Sequence, residues 1–110
     1  MINEDQDIIE FCAEHNTFEY NADKAVEEAI EFMEVVVKLK TKHKDNPKRP
    51  DKKEAIKEYG DFIYRGMIYL KSLFPNKSFD EIDEEIAEHV ENKLNKLEQY
   101  RKEGKYKGGL

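Results

Sequence analysis

An all-α fold is predicted by three features of the 110-residue chain. Apolar residues recur at helical spacing, charged residues make up 40%, and Gly and Pro number only five and three. A β-sandwich or barrel needs many more turn residues, whereas long solvated helices tolerate this polarity. Six Phe and six Tyr, mostly at helical spacing, argue against disorder. The length suits one small domain over residues 1–110, with 104–110 expected to form a flexible tail.

Four helices are predicted. The first runs from about Glu4 to His15, with Ile8, Ile9 and Cys12 on one side, and the segment Asn16 to Asn21 breaks it. The second starts after Asn21, a residue type favoured at helix N-caps, and continues to about His43. Its stripe is Val26, Ala29, Ile30, Met33, Val36 and Val37, a 3.6-residue rhythm. Asp45-Asn46-Pro47 and Arg49-Pro50 end it. Asp51 caps the third helix, which reaches about Phe74 before Pro75. Ser78-Phe79-Asp80-Glu81 fits a capping box and opens the fourth, whose stripe is Ile82, Ile86, Val90, Leu94 and Leu97. Gly104 ends it.

The third helix is apolar around most of its circumference, with Tyr59, Phe62, Ile63, Tyr64, Met67, Ile68, Tyr69, Leu70, Leu73 and Phe74. Such a helix must be covered on several sides. Three partner helices in a chain this short leave it under-covered. A bundle completed by homodimerisation, with this third helix at the centre of the dimer, is the simplest expectation, against a monomer with one exposed aromatic patch.

A net charge of −6 argues against general nucleic-acid binding, which requires a basic face. The charge is uneven. Lys38 to Lys53 holds eight basic residues and two acidic ones, which leaves −12 for the remainder. That stretch is either a phosphate lure or a solvated connector. Cys12 is the one cysteine, read as a small core residue, and excludes an internal disulfide or a cysteine-based zinc site. No apolar run approaches the roughly 20 residues that span a bilayer, and no apolar leader follows Met1, so a cytoplasmic location is expected.

Carboxylates carry the candidate chemistry. With Val26 at zero on a helical wheel, the second helix's stripe centres near about 330°, Glu28 near about 200° and Glu31 near about 140°. With Ile56 at zero, Glu58 and Asp61 on the third helix take the same two angles. Each helix thus carries an i, i+3 pair, one turn apart on one face. Antiparallel packing lets the pairs converge, and four converging carboxylates repel unless a cation neutralises them. All-oxygen ligands suit Mg²⁺ or Mn²⁺. The same spacing recurs at Glu81/Glu84, Glu85/Glu88 and Glu88/Glu91, so it also fits a solvated acidic face. Gly60, beside Asp61 in a bulky helix, suggests close approach of a neighbouring helix or a ligand.

Glu27-Glu28-Ala29-Ile30-Glu31 and Glu58-Tyr59-Gly60-Asp61-Phe62 resemble the EExxE and ExxD signature of MazG-like proteins, all-α nucleoside triphosphate pyrophosphohydrolases. The resemblance covers about Lys24 to Leu70, more weakly the fourth helix and the Arg101–Gly108 tail, which is similar to small phage-type members. It implies a four-helix bundle that oligomerises as a dimer or dimer of dimers. It also implies Mg²⁺ dependence and cleavage of a nucleoside triphosphate to the monophosphate and pyrophosphate. Glu28, Glu31, Glu58 and Asp61 match the metal-binding positions, and Glu27 matches the first acidic position of the motif. The long basic loop departs from compact members.

Positive groups are needed at the triphosphate, and Lys38, Arg65, Lys93, Lys96 and Arg101 are the candidates, each equally suited to an exposed solubilising role. Phe11, Phe18 and Tyr20 are candidates for base contact, with a core role favoured. His15, His43 and His89 lack the spacing of a metal site or a nucleophile–base pair, and no Gly-rich phosphate loop is present. Two other readings fit the composition: an acidic helical binding or inhibitor module, and a family member that binds nucleotides without turnover.

Overall fold

A computed structural model describes residues 3–41 and 51–105. Four helices and no strands are present among these residues: α1 (Asn3–His15), α2 (Phe18–Lys40), α3 (Lys52–Leu73) and α4 (Phe79–Lys102). No helix among them is long and apolar enough to cross a membrane. The expected extension of the second helix to His43, its proline stop, most of the basic loop and tail residues 106–110 lie outside the described residues. Packing divides the chain into two compact units, Met1–Pro75 and Asn76–Leu110.

Most predicted helix ends hold because each is decided by a few neighbouring atoms. Asp51 sits in extended backbone and its side chain accepts the Lys53 N–H at 3.1 Å, opening α3. Ser78 accepts the Glu81 N–H at 3.2 Å and caps α4 as expected, while its hydroxyl, in place of the backbone N–H of a full capping box, donates to the Glu81 carboxylate at 3.3 Å. Gly104 adopts a left-handed φ of 72°, which ends α4 where expected.

The start of α2 differs from expectation. Thr17 is the N-cap, accepting the Tyr20 N–H at 3.1 Å, and the helix begins at Phe18 instead of after Asn21. Asn21 is only 1% exposed, and its side-chain oxygen accepts from Asn16 Nδ2 at 3.1 Å. A buried amide inside the helix replaces the predicted cap, and Thr17 supplies the capping oxygen four residues earlier.

In the first unit α3 packs against both α1 and α2. The ring contacts fix the direction of the α2–α3 pair. Phe18 near the start of α2 meets Tyr69 late in α3, with centroids 5.7 Å apart. Phe32, fourteen residues further along α2, meets Tyr59 at 5.3 Å and stacks on Phe62 at 6.4 Å. As α2 advances its partners on α3 recede, so the two helices run antiparallel. Aromatic pairs of this kind contribute about 0.5–1.5 kcal/mol each beyond the area they bury.

The predicted stripe of α2 is not its buried side. Val26 and Met33 are each 58% exposed, and Ile30, Val36 and Val37 are exposed as well. Val35 is buried instead, and it shares a face with Phe32 about half a turn of the wheel away from the stripe. The helix therefore has two apolar surfaces, and the one bearing aromatic rings packs on α3. Phe11, Phe18 and Tyr20 are exposed, not core, and Cys12 is half-buried. Ile56, Tyr59, Ile63, Tyr64, Leu73 and Phe74 leave α3 partly uncovered, as its all-round apolar sequence foretells.

Candidate functional site

The face of α2 that packs on α3 carries Glu28 and Glu31 as well as Phe32 and Val35. Antiparallel register sets these two carboxylates opposite Glu58 on α3. Carboxylate oxygens of Glu28, Glu31 and Glu58 all lie within 4.8 Å of one another. The convergence arises because the acidic side of α2 is also its α3-facing side. The expectation that both pairs stand at one offset from a buried stripe is corrected by the exposure of that stripe.

Two of the three carboxylates, Glu28 and Glu58, are partly enclosed, whereas Glu31 is open to solvent. The Glu58 side chain is 16% exposed, with Lys57 Nζ at 3.7 Å from one of its oxygens. The other oxygen, Glu58 Oε2, and Glu28 Oε2 are both buried without a hydrogen-bond partner. A buried carboxylate oxygen without a partner is destabilising. The charge of Glu28, followed by lost hydration, contact with Glu28, and the charge and contact of Glu58, pushes the Glu31 pKa above the ordinary carboxylate value. Three mutually repelling carboxylates with two orphaned oxygens are the donor set a hard divalent cation satisfies.

Asp61 is exposed and does not join this group, although it follows Glu58 by one turn. Glu27 points elsewhere and pairs with Lys24 at 3.0 Å. Gly60 has nothing within 4 Å of where a Cβ would stand, so the expected close approach is absent among the described residues. Lys38 is exposed two turns beyond Glu31 on nearly the same face of α2, and it lines a surface pocket with Ile30, Met33 and Val37. Lys93, Lys96 and Arg101 belong to the second unit, where Lys96 lies over the Tyr100 ring and Arg101 pairs with Glu98.

One cation went unnoticed in the sequence. Lys24 precedes Glu28 by one helical turn, on the end of α2 that lies against the later part of α3. The hydrogen bond and charge of Glu27 hold its pKa above the ordinary lysine value, and the nearby Arg65 guanidinium works against them. Lys24, ion-paired with Glu27, is thus near enough to Arg65 on α3 for the two positive charges to repel. Only the antiparallel register reveals it, because the two residues stand 41 positions apart in sequence.

Beyond Arg65 lies a cavity of about 310 Å³ between α1 and α3, lined by Ile8, Ile9, Cys12, Tyr64, Arg65 and Ile68. Glu58, Arg65 and the apolar cavity thus follow one another along α3. No protein-family model, curated protein or solved structure matches the chain.

The raised Glu31 pKa fixes a pH dependence. Relative to the unfolded chain, the folded state holds the Glu31 proton more tightly, so this contribution to stability is present at acid pH. It is lost as pH rises through the raised folded value. In EDTA, Glu31→Gln should therefore melt above the unsubstituted protein near neutral pH, and the gap should close as pH falls through the carboxylate range. Circular-dichroism melts across that range check this.

Proposed function

We propose that this chain is a divalent-cation-dependent nucleoside triphosphate pyrophosphohydrolase of MazG-like type. The observation that carries the reading is the convergence of Glu28, Glu31 and Glu58 from two helices, with two buried oxygens left without partners. A solubilising acidic surface has no use for enclosed, unpaired carboxylates. The motif resemblance supplies the substrate class and the position of cleavage.

Glu28, Glu31 and Glu58 would hold Mg²⁺, or Mn²⁺, while Asp61 stands at the exposed edge one turn from Glu58. An ion held there would supply charge to offset the phosphates and to acidify a water; attack of that water at the α-phosphorus would release pyrophosphate. Lys24 and Arg65 orient the polyphosphate and balance its remaining charge. One of the carboxylates would assist removal of the attacking water's proton. Little covalent work falls to the protein, and positioning accounts for most of the rate.

The exposed stripe Val26, Ile30, Met33, Val36 and Val37 supports the second part of the proposal, a homodimer formed through α2. The stripe lies roughly opposite Glu28 on the wheel, so such pairing leaves the carboxylate face free. A continuous apolar surface of this kind is unusual on a monomer.

With Mg²⁺, the purified protein should convert at least one NTP or dNTP to the monophosphate and pyrophosphate. Glu58→Gln should lower kcat/KM on the order of 10²-fold or more while leaving the helical circular-dichroism signal intact. Asp61→Asn should lower it in the same direction. Release of orthophosphate with a nucleoside diphosphate contradicts the cleavage position. Nucleotide binding without turnover favours a non-catalytic family member, and neither binding nor turnover favours an acidic binding module.

A further inference from the structure

The cavity between α1 and α3 is mostly apolar and shares one residue, Arg65, with the groups proposed to hold the polyphosphate. Glu58 and Arg65 are seven residues apart on α3, about 10 Å along the helix axis and nearly on one face. Arg65 lines the cavity together with Ile8, Ile9, Cys12, Tyr64 and Ile68, of which Ile8 and Tyr64 are also exposed to solvent. Its volume of about 310 Å³ lies at the lower end of the roughly 300–1,000 Å³ range of small-molecule sites. Anion-binding groups at one end and an apolar slot at the other match a ligand with a charged chain and a flat, weakly polar head.

We propose that this cavity seats the base of the bound nucleotide, with the polyphosphate running past Arg65 and Lys24 towards Glu28, Glu31 and Glu58. The assignment rests on the nucleotide reading given above and fixes the direction in which the substrate lies. Ile9 is 1% exposed and Ile68 is also buried, so the floor is firm and apolar. Tyr64 brings an aromatic ring to the wall, suited to contact with a base. A lining dominated by aliphatic groups and one thiol offers few partners for the edges of a base. Discrimination among bases is therefore modest, within the roughly 10–200-fold that apolar pockets achieve.

Cys12 makes the seat testable because it is the one thiol in the chain and lies in the cavity wall. The rate of Cys12 alkylation by iodoacetamide is measured with Mg²⁺ and saturating α,β-imido analogues of dATP and dUTP, then with Mg²⁺ and tripolyphosphate. The nucleotides should slow alkylation about 10-fold or more, whereas tripolyphosphate should bind and leave the rate unchanged. Cys12→Phe, which fills the cavity, should weaken nucleotide binding about 10-fold or more and leave tripolyphosphate affinity and helical content alone. Nucleotide binding without protection of Cys12, equal protection by tripolyphosphate, or full nucleotide affinity in folded Cys12→Phe each overturns the seat but spares the cation and phosphate groups. Failure of both ligands to bind overturns the parent reading, and the seat with it.

Discussion

The antiparallel contact between α2 and α3 is the constraint on which the rest of the molecule depends. Aromatic rings hold it at both ends, Phe18 against Tyr69 and Phe32 against Tyr59 and Phe62. Between those contacts, the same register forces Glu28, Glu31 and Glu58 to within 4.8 Å. The favourable burial of rings and the unfavourable crowding of charge are thus consequences of one packing geometry. Neither can be altered by shifting one helix along the other without losing both.

Crowded carboxylates work against stability, and the raised pKa of Glu31 records it. A cation held there, as proposed, would offset this crowding and satisfy the two enclosed oxygens. The ordering along α3 gives that site a direction: acidic groups first, then Lys24 and Arg65 from two helices, then the cavity bounded by α1. The exposed apolar stripe of α2 lies on a different side of the helix from the carboxylates, so the proposed self-association would leave the proposed ligand site uncovered.

Local chemistry made much of this legible from the amino-acid sequence. Asp51, Ser78 and Gly104 mark their helix ends because capping involves atoms a few residues apart. The acidic motifs were visible as spacing, and three of the four matched positions come together. What escaped depends on contacts remote in sequence. Thr17 and Asn21 are both good caps, and composition alone cannot choose between them. Burial of Asn21 within α2 decided it. The stripe of Val26, Ile30 and Met33 is the stronger periodic signal, and it hid the Phe32 and Val35 face that packs on α3. Lys24 carries no motif, and its place beside Arg65 follows only from the register.

The central claim is that these three glutamates form one divalent-cation site, and Mn²⁺ titration followed by electron paramagnetic resonance tests it most directly. The signal of free aqueous Mn²⁺ should fall in a saturable way as protein is added, Mg²⁺ should restore it, and Glu28→Gln should abolish the effect while the helices remain. An undiminished Mn²⁺ signal in the presence of folded protein, or saturable binding unchanged by Glu28→Gln, would contradict the account.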